Sequence, residues 1–276
     1  MGTQYRLQYP TIPGVRMHYY YQKDARQVEA RVFPPHVHDE LEIYVLIEGN
    51  ASFMVEDRLY ALEEGDVIVS KPNELHNCIL NESTVHKHLC FWFDVSSELL
   101  FGEFLAHEMG QGNRISPSRE EKARLAELYE ALCCAAEEGR EHRQLYLALE
   151  MLDILRQNAP AEAREVDLPP VLCRILNDMN RNFAVIPDLQ YFTHTYYVSQ
   201  STLNRWFQKY LQTTPKLYLE TKRLAHSRML LREGRSVAET CVSSGFSDYS
   251  NFIRLFKKRF SITPKEYRDG KVKQEE

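Results

Sequence analysis

The strongest constraint on this chain is that it repeats itself near its C-terminal end. At an offset of 49 residues, Leu203, Arg205, Phe207, Lys209, Thr214, Pro215, Lys216 and Tyr218 fall on Phe252, Arg254, Phe256, Lys258, Thr263, Pro264, Lys265 and Tyr267. A match of this length in register means that one small folded unit occurs twice.

Each copy has the parts of a helix, a tight turn and a second helix. In the second copy, residues 237–243 read as the first helix, Gly245 offers the positive φ of a turn, and Ser247 or Asp248 can cap the next helix. Phe252, Leu255 and Phe256 share its apolar side. Tyr249, Ser250, Asn251, Arg254 and Lys258 are left outward, as side chains able to reach base edges and phosphates. In the first copy Ser199 is the cap and Leu203, Trp206 and Phe207 form the apolar edge, leaving Ser201, Asn204, Arg205 and Lys209 outside. Thr-Pro-Lys follows each second helix, where threonine caps and proline takes the first helical position. A helix from Pro215 carries Leu217, Leu224 and Leu231 seven apart and would space the two units rigidly.

Charge divides the same way. The net charge is −5, yet residues 1–169 hold 16 basic against 29 acidic side chains, while residues 170–276 hold 18 against 10. Only the C-terminal part suits a polyanion, so nucleic acid is the expected partner and a solvated basic face is the bland alternative.

Residues 235–268, RSVAETCVSSGFSDYSNFIRLFKKRFSITPKEYR, resemble the second helix-turn-helix of AraC/XylS-type transcription regulators, and the resemblance covers about the last hundred residues. Cys241 and Thr193 stand where that family usually has alanine, and Ser244 replaces an apolar residue before Gly-Phe. By position, the resemblance assigns base and backbone contacts to Ser201, Asn204 and Arg205, and to Tyr249, Ser250, Asn251 and Arg254, although Arg205 and Arg254 can instead brace their helices. It implies double-stranded promoter DNA and RNA polymerase as partners, an activator rather than a repressor, and a small-molecule effector, with a sugar or related metabolite favoured.

Up to about residue 95, short apolar runs at 43–47, 52–55, 59–62, 67–70 and 89–93 alternate with turn signals, as in a small antiparallel sandwich or barrel. Residues 34–49, PPHVHDELEIYVLIEG, place His36 and His38 two apart, with Glu42 four further on. Strand alternation would send all three to one face, and His76 follows a Gly65-Asp66 turn and Pro72. This set resembles the cupin pattern, with Ala30 in place of the opening glycine. Three imidazoles and a carboxylate suit a divalent metal. A metal-free pocket using the same residues for a small molecule is favoured over a metal, and either over catalysis. His86 and His88 read as exposed or packed rather than ligating.

Residues 96–157 turn helical, with Leu125, Leu128 and Leu132 on one stripe and Leu145, Leu149 and Leu152 on another, serving equally as a domain core or as the seam of a homodimer. The six cysteines show no C-x-x-C pair and read as reduced, buried thiols. With no apolar leader and no run long enough to cross a bilayer, a cytoplasmic protein is expected.

The expected organisation is a multidomain α and β protein: a cupin-like β-barrel for ligand sensing at 1–95, a helical segment at 96–157, a linker at 158–170 and an all-α DNA-binding domain with two helix-turn-helix units at 171–276. It is read as a regulator with no cofactor. Two rivals stay open: a metal-dependent cupin enzyme with a helical assembly domain, and an interaction module whose basic tail meets a protein.

Overall fold

The computed structural model describes residues 3–8, 16–21, 26–28, 34–80, 84–93, 98–160, 166 and 168–270. Ala30 and part of the 158–170 stretch lie outside the described residues. Two compact units emerge: residues 1–33 with 38–167, and residues 34–37 with 168–276.

The first unit contains β1 (Thr3–Gln8), β2 (Arg16–Tyr21), β3 (Arg26–Val28), β4 (Leu41–Gly49), β5 (Ala51–Val55), β6 (Arg58–Leu62), β7 (Val67–Ser70), β8 (His76–Ile79), β9 (Thr84–Phe93) and β10 (Arg114–Ile115). One sheet runs β1-β2-β9-β4-β7-β10 with β3 also on β9, and a second runs β6-β5-β8. All pairings are antiparallel. The result is the β-rich, cupin-like unit expected, and β4 shows why its sequence is nearly all apolar. Leu41, Ile43 and Val45 belong to a core shared with Phe91, Phe93 and the helices, while Tyr44 and Leu46 face Phe53, Tyr60, Cys78 and Cys90 in the space between the sheets. A strand buried on both faces loses the polar half of its alternation.

Helices α1 (Glu98–Leu105), α2 (Arg119–Glu137) and α3 (Glu141–Arg156) cover the outer face of the large sheet. Leu125, Leu128, Leu132 and Leu152 are buried in that common core, and Leu145 and Leu149 pack at its margin. The stretch is not wholly helical. Arg114 and Ile115 pair with Ile68 and Val67, because the buried Asp66 accepts from Arg114 Nη2 at 2.7 Å and from Ser116 Oγ at 2.9 Å. Ser118 and Glu121 form a capping box that starts α2 immediately after.

The second unit is helical: α4 (Pro170–Asn182), α5 (Gln190–Thr195), α6 (Gln200–Leu211), α7 (Pro215–Arg232), α8 (Val237–Ser243), α9 (Tyr249–Phe260) and α10 (Pro264–Arg268). Leu224, Leu231, Val237, Cys241, Phe246, Phe252, Phe256 and Ile262 make one of its cores. Leu217 is instead exposed. Cys78, Cys90, Cys133 and Cys241 are buried free thiols, whereas Cys134 and Cys173 are exposed, contrary to the expectation that all six are buried. Among the described residues no helix is long and apolar enough to cross a membrane.

Candidate nucleic-acid interface and ligand centre

The 49-residue offset survives as geometry. Helices α6 and α9 begin and end at matching positions. Ser199 Oγ accepts from Thr202 N at 3.1 Å and Asp248 Oδ1 from Asn251 N at 2.8 Å. Both helices end in a left-handed residue, Gln212 and Ser261. Thr214 and Thr263 then cap α7 and α10, each with proline in the first turn. The two turns differ: Gly245 takes positive φ in the second unit, and Tyr197 does so in the first.

On α6, Leu203, Phe207 and Leu211 are buried, while Ser201, Asn204, Arg205 and Lys209 are exposed. On α9, Phe252 and Phe256 are buried; Tyr249, Ser250, Arg254 and Lys258 are exposed and Asn251 is half-buried. Arg254 Nη2 donates to Asn251 Oδ1 at 2.7 Å, one turn back along the helix. Sequence reasoning passed over Lys257, which is also exposed in the last turn of α9. Each helix therefore presents a polar, basic face opposite a buried apolar edge, the arrangement needed to enter a groove.

In the first unit, β4 carries Glu42 inward and β8 carries His76 toward it. His38 reaches the same carboxylate from the irregular stretch before the Asp39–Glu40 bend, not from a strand as expected. His36 likewise precedes the strand, on the segment 34–37 that belongs with the second unit, with its Nδ1 3.1 Å from the Pro34 carbonyl. Glu42 Oε2 lies 2.9 Å from His38 Nε2, 3.3 Å from His76 Nε2 and 2.7 Å from the indole Nε1 of Trp92, which donates to it. The far nitrogens are engaged too: His38 Nδ1 with the Glu40 carbonyl at 3.1 Å and His76 Nδ1 with the Glu74 carbonyl at 2.9 Å. Burial opposes charge on Glu42, but His76 and His38 hold its carboxyl well below the usual range. Burial likewise opposes protonation of His76, yet the Glu42 carboxylate raises it.

These groups fit a cation. A carbonyl accepts only from Nδ1–H, so a neutral imidazole in this pose would aim its Nε2 lone pair at a carboxylate oxygen. That is the orientation in which an imidazole can ligate a positive ion shared with the carboxylate, and a carbonyl-fixed tautomer is the usual outer support of a metal-bound histidine. The donor atoms of His38, Glu42 and His76 lie within 4.8 Å of one another.

Deeper between the sheets, the Tyr44 hydroxyl lies 3.1 Å from His86 Nε2, and its ring stacks on His88 with centroids 5.2 Å apart. Burial pushes His86 down to about 4 and His88 to about 3, so both are neutral near pH 7. Of the two outcomes expected for His86 and His88, exposed or packed, the structure shows packed rings.

Residues 25–155 match the family described as AraC-like ligand binding domain, and residues 193–270 match the helix-turn-helix domain. The chain belongs to the AraC family. Among curated AraC-type relatives, the HTH-type transcriptional activator RhaS of Escherichia fergusonii is 24% identical over 251 residues, covering 87% of this chain and 88% of that protein. The HTH-type transcriptional activator RhaR of Mannheimia succiniciproducens is 22% identical over 246 residues, covering 87% and 89%. The solved structure of ToxT from Vibrio cholerae O395 is 12% identical, covers 95% of this chain and 99% of its own, and has a TM-score of 0.35.

Proposed function

We propose that this AraC-family chain is a sequence-specific transcription activator that grips promoter DNA with α6 and α9 and answers to a small molecule bound in its N-terminal unit. The observation that carries the reading is the pair of capped helices at matching positions, each exposing polar and basic side chains over a buried apolar edge. Activation rather than repression is inferred from the names of the relatives. RNA polymerase is the partner that activation requires. A sugar or related metabolite is the favoured effector, since Glu42, Trp92 and the imidazoles offer donors and acceptors to a hydroxylated ligand. A homodimer through α3 is part of the reading, because Tyr146 is 57% exposed beside the half-buried Leu145 and Leu149.

The test is capture of fragmented genomic DNA on the purified full chain at near-physiological salt, with sequencing of what is retained. Promoter-proximal sites sharing two half-motifs about 10 base pairs apart are expected. Absence of enrichment, with and without cell metabolites, refutes the reading. Binding that is independent of sequence and vanishes at moderate salt favours an interaction module instead.

A second reading concerns the centre itself: His38, Glu42 and His76 hold a divalent cation, with the two carbonyl-fixed Nε2 atoms as the supporting observation. Such an ion would fix the bend at 38–42 against β8 and polarise a bound oxygen ligand. Titration with Co2+, followed by quenching of Trp92 fluorescence and by loss of that quenching in His76→Ala, tests it.

A further inference from the structure

Glu74 lies two residues before His76, is fully buried and faces both ways. Its main-chain carbonyl holds the His76 ring. Its carboxylate accepts from Gly110 N at 2.7 Å and from Asn113 Nδ2 at 2.6 Å, both on the segment joining α1 to α2. The same carboxylate takes Lys71 N at 2.7 Å and lies 3.1 Å from Lys71 Nζ, which itself donates to the Gln111 carbonyl at 2.6 Å. Asn113 Nδ2 also donates to Val69 O at 2.8 Å, and Val69 N to Asn113 O at 2.7 Å. Two residues of that segment, Gly110 and Asn113, are thus tied directly to one buried acid, and a third, Gln111, is tied to it through Lys71.

The segment continues into a second buried acid. Asp66 accepts from Arg114, Ser116 and, at 2.9 Å, from Lys122 in the first turns of α2. At Asp66, burial is outweighed by Lys122, the Glu63 amide and Arg114, which hold the carboxyl down. A carboxylate placed in the interior for stability alone brings little, since its desolvation offsets most of what its partners return. Two of them in series along one strap call for another reason.

We propose that Glu74 is a positioning residue coupling the His38–Glu42–His76 centre to the helical layer. When the centre fills, the His76 ring is fixed, the 74–76 backbone is fixed with it, and the strap from 110 to 122 tightens against β7, steadying α2. This rests on the cation reading above. Such a route is a coupling free energy between two sites carried by one connected bonding network.

The experiment is hydrogen exchange by mass spectrometry on the full chain, with and without saturating Co2+, with Trp92 quenching read in parallel. In the wild type, Co2+ is expected to quench Trp92 and to slow exchange in peptides spanning 108–118 by about fivefold or more. In Glu74→Gln, quenching persists with affinity reduced less than about tenfold, and the Co2+-dependent slowing at 108–118 disappears. Asn113→Ala removes a strap bond from the other side and is expected to uncouple in the same way. A merely structural role would raise exchange equally with and without Co2+. Quenching with unaltered exchange at 108–118 overturns the proposal, as does full Co2+-dependent slowing in both variants. No quenching in the wild type overturns the cation reading and this one with it.

Discussion

Replacing Gly245 by alanine tests whether the second helix-turn-helix is shaped by steric necessity at its turn. Gly245 has φ +82°, and a β-carbon there would lie 2.5 Å from the Ala184 carbonyl oxygen, 2.8 Å from its Cα and 2.9 Å from its carbonyl carbon. All three are backbone atoms that cannot swing aside. Gly234, between α7 and α8, has nearly the same φ of +81° and would meet nothing within 4 Å. Both substitutions incur the left-handed penalty of about 1–2 kcal/mol. Only Gly245→Ala adds an overpacking cost of about 1–3 kcal/mol, because the connection from α4 to α5 must retreat. The difference between the two variants isolates the close approach. The two tryptophans, Trp92 and Trp206, fall one in each unit, so urea unfolding in a Trp92→Phe background reads the helical unit through Trp206. With a slope of about 1–3 kcal/mol per molar urea, the Gly245→Ala midpoint is expected to fall about 1 M below that of Gly234→Ala. Equal midpoints for the two variants would refute the argument that contact with Ala184, rather than φ alone, dictates glycine.

Arg254→Ala is expected to lower specific DNA affinity by about 1–3 kcal/mol and relax sequence preference at one position, whereas Lys258→Ala weakens all sequences alike and flattens the salt dependence by about one phosphate contact, both measurable by fluorescence anisotropy across a salt series. Unchanged specific affinity in Arg254→Ala sinks the recognition-helix assignment. Phe207→Ala and Phe256→Ala, equivalent by the repeat, are each expected to destabilise the helical unit by about 3–5 kcal/mol in the same urea assay; a large inequality would mean that the two cores do not share one design. Acid should unfold the first unit through its neutral histidines. His86 and His88 titrate near their ordinary value when unfolded but only at about 4 and about 3 when folded, so the unfolded chain binds more protons in between, and stability falls as pH drops from about 6.5, by up to about 1.4 kcal/mol per unit for each group. His86→Gln should shallow that slope, and an unaltered slope in Trp92-monitored acid titration argues against burial of a neutral ring.

What was legible in the sequence followed the physics of each segment. The helical unit could be read nearly residue by residue, because caps, apolar edges and turn residues agree with one another there, and expected helix 237–243 coincides with α8 (Val237–Ser243). Strands β4, β5, β6, β7 and β9 announced themselves by apolar runs. Strand β8 did not, because His76 and Asn77 are polar yet fully buried; the burial of His76 is offset by Glu42 and the Glu74 carbonyl, partners remote in sequence or on the main chain. The ligand centre was legible as a set of donors, but Trp92 was not, since its bond to Glu42 spans 50 residues and exists only through the β4–β9 register. Glu74, Asp66 and Asn113 escaped for the same reason: nothing local marks an acid as buried.

The repeat also shows why α7 has so little freedom to vary. In the first unit Tyr218 stands edge-on to Phe207 with ring centroids 5.7 Å apart, and its hydroxyl donates to Asn180 of α4 at 3.0 Å. In the second unit Tyr267 stands edge-on to Phe256, also at 5.7 Å, and its hydroxyl accepts from Arg228 of α7 at 3.4 Å. Helix α7 therefore does for the second unit what α4 does for the first, while its own start at Pro215 closes the first unit as Pro264 closes the second. One element with two duties is buried on most of its sides, which explains why Thr221, Lys222, Ser227 and Arg228 are buried alongside its leucines. It also sets the spacing. Its 18 residues extend about 27 Å at about 1.5 Å each, short of the roughly 34 Å turn of DNA that separates successive grooves. Because the spacer is one continuous helix rather than a linker, separation and rotation of α6 and α9 are locked together: one added residue would turn α9 by about 100° as well as advance it, so under the DNA-binding reading proposed above half-site spacing would follow from the packing of α7 and not from either helix alone.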